Sequence, residues 1–192
     1  MSRTPALLEA ATSHLVIVDV QERLAPAVAD REGITGAVLL LLEAARVHGV
    51  PVTVTEQYPK GLGPTLGSVV AALPDDAVVI EKTAFSAMRE PNFAARVEGI
   101  ERPHLLVAGM ETHVCVLQTV LDALRAGWSC SVAADAVGSR SDEDRRRGLD
   151  RMAAAGADIV TTEMAIFEWT EKAGTPAFRR LAPLIRDRAV RP

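Results

Sequence analysis

Short runs of apolar residues recur along the chain, and most of them are continuous rather than alternating with polar residues. Continuous runs of Val, Ile and Leu are typical of strands that are buried on both faces of a parallel sheet. Six segments fit this pattern and are predicted to be strands: His14–Val20, Pro51–Thr55, Ala77–Ile80, His104–Ala108, Ser129–Ala134 and Ala157–Thr161.

Stretches with helical character lie between several of these strands. Gly33–His48 is rich in Ala and Leu and is followed by Gly49, a residue type that commonly ends helices. Thr112–Ala126 is a second helical stretch, and Ser141 begins an S-D-E-D capping pattern ahead of a third, Arg-rich one. The alternation predicts an α/β fold, with three α/β/α layers around a mostly parallel, roughly six-stranded, Rossmann-like sheet.

The ends of the predicted strands are where chemistry is expected, because ligands of such sheets bind beyond the carboxyl ends of the strands. Side chains alternate along a strand, so Glu81 is expected to point away from Lys82. The strand-end residues selected by this rule are Asp19, Thr55–Gln57, Glu81–Lys82, Gly109–Glu111 and Asp135.

Two charged residues at these ends are candidates for proton chemistry. Asp19 closes a wholly apolar strand, and a carboxylate at the edge of a low-dielectric core can serve as a proton carrier. Lys82 leaves the sheet at another strand end and can orient such a carboxylate. Each residue also has a plainer interpretation, with Asp19 capping the following turn and Lys82 simply solvated.

The segment A-G-M-E-T-H-V-C-V-L-Q-T carries the sharpest signal, a strand and a glycine turn followed by a helix whose first turn holds Cys115. A helix N-terminus lowers the pKa of a thiol, and its backbone N–H groups can hold an oxyanion. This predicts a nucleophilic Cys115 with a lowered pKa, the alternative being a cysteine that only packs in the core. His113 would lie about 200° around the helix from Cys115, so we expect Asp19 and Lys82 to supply the base.

Composition and charge narrow the choice of partner. Lys and Arg number 21 against 25 for Asp and Glu, a formal net charge of −4, and aromatic residues make up only 4%. This balance disfavours nucleic-acid and anionic-membrane surfaces. The apolar runs also fall well short of the roughly 20 residues that span a bilayer. Composition therefore excludes several classes of partner but names no function.

Domain organisation and compartment follow from simpler features. The 192 residues contain no repeat, low-complexity segment or Ser/Gly-rich linker, which predicts a single domain over 1–192. Two cysteines cannot form a disulfide framework or a four-cysteine zinc site, and Met1–Ala11 lacks the features of a signal peptide. A reducing, cytoplasmic setting is expected.

Three motifs in order resemble the isochorismatase-like cysteine hydrolase superfamily: V-I-V-D-V-Q, E-K-T-A-F-S-A and G-M-E-T-H-V-C-V-L-Q-T-V-L-D-A. Two further stretches, T-E-Q-Y-P-K-G-L-G-P-T and A-D-A-V-G-S-R-S, resemble its isochorismatase domain-containing branch. The resemblance covers nearly the whole chain. It implies the α/β fold predicted above, a hydrolase and a homo-oligomer, either a dimer or a larger ring.

Carried over residue by residue, the resemblance implies a triad. Asp19 takes the thiol proton, Lys82 holds the Asp19 carboxylate, and Cys115 attacks a carbonyl carbon. The superfamily has a cis peptide after its motif glycine, which corresponds here to Met110–Glu111 and would aim the amides of Glu111 and Cys115 at an oxyanion. The residues that the resemblance places at the substrate pocket are Gln21, Tyr58 and Phe85.

One departure from the superfamily bears on cofactors. Nicotinamidases hold a metal with one Asp and two His after the second strand, where this chain has E-Q-Y-P-K-G. The four histidines, His14, His48, His104 and His113, show no ligand spacing. We therefore expect no metal, no cofactor and no nicotinamide hydrolysis.

The presence of Cys115 favours cleavage of a small amide-type C–N bond through a thioester. Two alternatives stay open. One is vinyl-ether hydrolysis of the isochorismatase type, which uses Asp19 and no cysteine, and the other is a binding member of the superfamily without turnover. A thiol peroxidase with Cys130 as the resolving cysteine fits less well, because Cys130 lies in a predicted strand and nothing brings it near Cys115.

Overall fold

Six parallel strands form the central sheet of the computed structural model, which describes residues 7–189 and the side chains of 7–187. Their spatial order is β3-β2-β1-β4-β5-β6, and every pairing is parallel, so the predicted fold class is confirmed. The strands are β1 Ser13–Val18, β2 Val52–Gln57, β3 Val78–Lys82, β4 His104–Met110, β5 Ser129–Gly138 and β6 Asp158–Val160.

Helices cover both faces of this sheet. Leu-rich α1, together with α7 and α8, packs against one face, and α4, α5 and α6 pack against the other. Short 3-10 turns occur at Ala10–Thr12, Ala25–Ala27 and Ala87–Arg89, and a π-helical turn occurs at Thr112–Val116. The α-helices are α1 Arg31–His48, α2 Pro59–Leu62, α3 Gly67–Val70, α4 Pro91–Ile100, α5 Leu117–Arg125, α6 Asp142–Ala154, α7 Thr162–Thr170 and α8 Pro176–Ala189.

Local capping signals place the helix ends where the sequence predicts them. Gly49 ends α1 in the left-handed conformation, with φ of 64°. The Ser141 hydroxyl accepts a hydrogen bond from the Asp144 amide at 3.3 Å and so caps α6. The segments 1–6 and 190–192 lie outside the described residues, so the expectations for the leader and for a domain over 1–192 rest partly on sequence alone.

The hydrophobic core has two layers, one on each face of the sheet. Alternate residues of β1 divide between them, with Leu15 and Ile17 facing α1 and Val16 and Val18 facing α5. All four side chains are fully buried, as expected for strands covered on both faces. No helix among the described residues is both long and apolar enough to cross a membrane.

The order of the strands changes direction between β1 and β4, which creates a crossover point in the sheet. From β1 the chain builds outward through β2 and β3, and then returns to place β4 on the other side of β1. Gly109 of β4 pairs with Val18 of β1, and its φ is 120°. A Cβ at Gly109 would lie 2.0 Å from the Val18 carbonyl oxygen, so only glycine fits this close approach. Ligands of such sheets bind at this crossover point.

A buried histidine gives the fold a predicted pH dependence. Burial, followed by the charges of Arg96 and Arg102, lowers the pKa of His14 from 6.5 to about 4, and its Nε2 lies 2.8 Å from the Thr53 hydroxyl. Between pH 6.5 and pH 4, His14 is protonated in the unfolded chain but neutral in the folded chain. The free energy of unfolding therefore falls as the pH falls through this range. We expect His14 to cost about 2 kcal/mol between pH 7 and pH 5 in urea unfolding.

A paired variant tests this assignment. His14→Phe with Thr53→Val removes the titrating ring and its hydroxyl partner, and should flatten the pH dependence of the unfolding free energy by about the same 2 kcal/mol. An NMR titration of the His14 ring in the unmodified protein provides a second measurement. A His14 ring that titrates near its ordinary pKa would contradict the prediction.

Candidate active site

Asp19 and Lys82 form a buried ion pair at the carboxyl end of the sheet. Asp19 follows β1 directly and adopts a left-handed backbone with φ of 51°, a conformation that Asp tolerates better than most residues. Lys82 Nζ lies 2.7 Å from Asp19 Oδ2, and neither side chain is exposed. Thr55 donates its hydroxyl to Asp19 Oδ1 at 2.7 Å, while Oδ2 faces the Lys82 ammonium in the ion pair.

The Lys82 ammonium is held by more than its carboxylate partner. It donates to Gln57 Oε1 at 2.7 Å, and to the carbonyl oxygens of Ala84 at 3.3 Å and Phe85 at 3.2 Å. Glu81 is exposed while Lys82 is buried, as the alternation along β3 predicts. An ammonium has three N–H donors, which match these three acceptors, so its position is strongly fixed.

Cys115 lies beside this pair, on the π-helical turn that follows β4. Its side chain is 5% exposed, its Sγ is 4.0 Å from Gln57 Oε1, and the thiol interacts with both Asp19 and Lys82. The structure therefore brings the three predicted residues Asp19, Lys82 and Cys115 together from three different elements.

The expected lowering of the Cys115 pKa is wrong. Burial, and then the negative charge of Asp19, raise the pKa of the thiol from 9.0 to about 12, and the Lys82 ammonium offsets only part of this effect. Desolvation disfavours the charged thiolate and is the largest of these effects. The resting group is therefore a thiol that faces a carboxylate able to take its proton.

A cis peptide joins Met110 and Glu111, at the position that the family resemblance implies. Met110 is fully buried, and the Glu111 carbonyl accepts hydrogen bonds from the amides of Val114 at 3.1 Å and Val116 at 3.2 Å. The Glu111 carboxylate, 6% exposed, accepts two hydrogen bonds from Arg140, from its backbone N and its Nε, both at 3.0 Å. The Glu111–Arg140 hydrogen bonds thus connect the segment before Cys115 to the loop after β5.

The three residues implied for the pocket differ in their surroundings. Gln21 is buried, and its Nε2 donates to the Gln57 and Gly63 carbonyls at 3.0 and 2.6 Å while its Oε1 accepts from the Gln57 amide at 2.8 Å. Its amide is used to hold the backbone at Gln57. Tyr58 and Phe85 are 55% and 53% exposed and lie on the loops after β2 and β3.

A cavity of about 330 Å³ opens between these two loops, next to Lys82. Its size suits a small molecule. The lining residues are Tyr58, Pro59, Lys60, Glu81, Lys82, Thr83 and Glu90.

Two contributors to the site were not assigned a role from sequence. The sequence marks Gln57 only as a strand-end residue, yet its amide lies between Lys82 and Cys115. Glu90 is not among the residues predicted from the sequence, and its carboxylate holds the loop that contains Ala84. The only available signal for Glu90 is its place just before the proline that begins α4.

Other candidate residues lie away from the triad. The Asp135 carboxylate accepts hydrogen bonds from the amide and hydroxyl of Thr162 at the start of α7. His113 Nδ1 lies 3.0 Å from the Ser139 hydroxyl. Cys130 is fully buried in β5. Within the described part of the chain, no group of three or more His, Cys, Asp or Glu side chains could hold a metal ion.

Comparison with known proteins gives a family match over most of the chain. The isochorismatase domain model matches residues 13–164. Isochorismatase domain-containing protein 1 of Danio rerio is 37% identical over 179 residues, which are 93% of this chain and 62% of that protein. The chain therefore spans less than two thirds of that relative's length.

Solved structures with the same fold carry different descriptions. MAR1 ribonuclease from Caenorhabditis elegans is 34% identical, with a TM-score of 0.88 over 97% of this chain and 98% of that one. YcaC from Pseudomonas aeruginosa, with hexane-2,5-diol and covalent acrylamide, is 25% identical (TM-score 0.87, 98% and 100% covered). YcaC from Escherichia coli, described as an octameric hydrolase of unknown specificity, is 25% identical (TM-score 0.88, 98% and 95% covered). The chain belongs to the isochorismatase domain family.

Proposed function

We propose that this protein is a metal-independent cysteine hydrolase that cleaves an amide-type C–N bond of a small molecule. The observation that carries the proposal is the buried Asp19–Lys82 ion pair in contact with the Cys115 thiol. A thiol with a pKa near 12 is a poor nucleophile at neutral pH unless a base removes its proton during the attack. Asp19 is the carboxylate placed to do this.

The proposed reaction has two halves. In the first, the Cys115 S–H proton passes to Asp19 as Sγ attacks the carbonyl carbon, and the amides of Glu111 and Cys115 hold the oxyanion. The C–N bond then breaks as Asp19 returns the proton to the leaving nitrogen, which leaves a thioester on Cys115. In the second half, Asp19 takes a proton from water, the water oxygen attacks the thioester, and the thiol reforms with the proton from Asp19.

Lys82 serves both halves from a fixed position. Its positive charge lies 2.7 Å from the Asp19 carboxylate and lowers the pKa of the Cys115 thiol. It therefore favours the thiolate as the proton moves to Asp19. The charges of Asp19 and Lys82 pair with each other, which supports a small and largely uncharged reacting group.

Trapping of the acyl-enzyme tests the proposal. The protein and its Cys115→Ala and Cys130→Ala variants are incubated with a library of small amides, quenched rapidly and examined by intact-mass spectrometry. We expect amine release and a transient gain of one acyl group in the parent and in Cys130→Ala, with neither in Cys115→Ala. Acrylamide, which is covalently bound in the YcaC structure from Pseudomonas aeruginosa, should modify Cys115 and leave Cys130 untouched.

The contrary outcomes separate the alternatives. Turnover that survives in Cys115→Ala would favour hydrolysis by Asp19 without covalent catalysis, the mechanism expected of the vinyl-ether alternative. Binding of amides without any turnover would favour a non-catalytic member of the family. Activity lost with a chelator and recovered on adding zinc would overturn metal independence. An RNA substrate belongs in the same assay, because the Caenorhabditis elegans structure is described as a ribonuclease, and cleavage of RNA alone would contradict the small-molecule assignment.

Assembly and compartment belong to the same proposal. The octameric YcaC from Escherichia coli supports a homo-oligomer of this chain. Both cysteines are free thiols in the structure, and catalysis by Cys115 needs its thiol reduced, which fits a cytoplasmic setting. We assign residues 1–192 to a single isochorismatase-like hydrolase domain.

A further inference from the structure

Glu90 holds the loop that follows β3. Its Oε1 accepts hydrogen bonds from the backbone amides of Thr83 at 2.7 Å and Ala84 at 2.8 Å, and from the Thr83 hydroxyl at 3.3 Å. These backbone donors lower the pKa of the Glu90 carboxyl. A single carboxylate oxygen therefore fixes two consecutive amides on the outer side of the loop.

The opposite side of the same loop holds the candidate active site. The Thr83 carbonyl accepts from Gln57 Nε2 at 2.8 Å, and the carbonyls of Ala84 and Phe85 accept from Lys82 Nζ at 3.3 and 3.2 Å. Each of the three carbonyls thus bonds with a side chain that lies next to Asp19 or Cys115. The position of the loop determines where Lys82 Nζ and the Gln57 amide lie.

One peptide unit connects the two sides directly. The Thr83 carbonyl and the Ala84 amide belong to the same planar group, so Gln57 Nε2, this peptide and Glu90 Oε1 form a continuous chain of hydrogen bonds. Such chains polarise one another and are stronger than isolated bonds. The bond from Nε2 also sets which end of the Gln57 amide faces the site, and leaves Oε1 toward Lys82 and Cys115.

We propose that Glu90 is a positioning residue for the active site, and that it acts through the 83–85 loop to hold the Lys82 ammonium and the Gln57 amide beside Asp19 and Cys115. Glu90 touches none of the reacting atoms. The proposal rests on the proposed function only in taking Cys115 as the nucleophile. A purely structural role, in which Glu90 stabilises the start of α4, makes a different prediction, because it leaves the Lys82 ammonium unaffected.

The Lys82 ammonium can be observed without any substrate. The chain has only three lysines, Lys60, Lys82 and Lys172, so ¹⁵N-lysine NMR gives at most three side-chain signals. Lys60→Arg and Lys172→Arg assign them by removal. We expect a Lys82 signal with slow hydrogen exchange in the parent protein. In Glu90→Ala its exchange should be about tenfold faster or more, the size expected from losing a charge-assisted hydrogen bond.

Two matched variants separate positioning from stability. Glu98→Ala removes a carboxylate from α4, the helix that follows Glu90. Glu98 is exposed and its side chain makes no hydrogen bond or ion pair with a described residue, so the Lys82 signal should not change. Glu90→Gln keeps an oxygen acceptor for the two amides and should recover most of the slow exchange. The melting temperature of each variant is measured alongside.

The pH profile of Cys115 alkylation gives the second readout. A Lys82 ammonium that is held less firmly spends less time beside Cys115 and favours the thiolate less, so the profile of Glu90→Ala should shift to higher pH while that of Glu98→Ala should not. The charged groups around this loop and the thiol are Asp19, Lys60, Glu81, Lys82 and Glu90.

The proposal is overturned if Glu90→Ala lowers the melting temperature while the Lys82 exchange rate and the alkylation profile stay at their parent values. That result would assign Glu90 to the stability of α4 alone. Failure of the proposed function would look different, because amide turnover would be missing from the parent protein whatever the Lys82 signal showed.

Discussion

Replacing Lys82 by methionine is expected to lower the free energy of unfolding by about 3–5 kcal/mol, because it leaves a buried carboxylate without its partner. Both side chains of the Asp19–Lys82 pair are fully buried, with charged atoms 2.7 Å apart. The substitution also removes the donor that serves Gln57, Ala84 and Phe85. Methionine fills a similar volume, so the loss reports the missing ammonium rather than a cavity.

Urea unfolding at pH 7 measures this loss, and two further variants identify its source. Lys172→Met changes an exposed lysine and should alter the unfolding free energy by less than about 0.5 kcal/mol. Asp19→Asn combined with Lys82→Met removes both charges and should recover much of the loss, with a coupling energy of about 2 kcal/mol or more. Purely additive effects would show that the ion pair is not the cause.

Much of the fold follows from patterns that act over a few residues. The continuous apolar run at Val16–Val18 predicts a strand covered on both faces, and the structure buries it completely. Gly49 and Ser141 mark helix ends through their own local geometry. The ends of β2 and β5 were predicted too early, since the sheet continues through Gln57 and Gly138. Those residues read as polar or turn-forming, and they are held in the sheet by pairing with neighbouring strands.

Some features of the candidate site also follow from the sequence, and others depend on contacts between distant residues. That Asp19, Lys82 and Cys115 come together follows from the sequence, because parallel strands end at one edge of the sheet. The sign of the shift in the Cys115 pKa does not follow, since it depends on burial and on the distance to Asp19 rather than on the local helix start. Glu90 also escapes sequence reasoning, because its role exists only through the carbonyls on the far side of the loop.

Asp19→Asn is expected to separate the reactivity of the Cys115 thiol from turnover. The negative charge of Asp19 raises the pKa of the thiol, and the Lys82 ammonium lowers it. Removing the first while keeping the second should bring the pKa down from about 12, so alkylation at neutral pH should become faster and level off at a lower pH. Turnover of an amide substrate should fall about a hundredfold to ten-thousandfold, because the group that carries the proton is gone.

The two measurements must move in opposite directions for this assignment to hold. Glu22→Gln removes an exposed carboxylate from the turn after Asp19 and should leave both the alkylation profile and the turnover unchanged. If Asp19→Asn slows alkylation together with turnover, then Asp19 acts by supporting the site and not by carrying a proton. If alkylation becomes faster and turnover is kept, a different group serves as the base. Only faster alkylation with lost turnover fits a carboxylate that suppresses the thiolate at rest and accepts its proton during attack, because the same charge produces both effects.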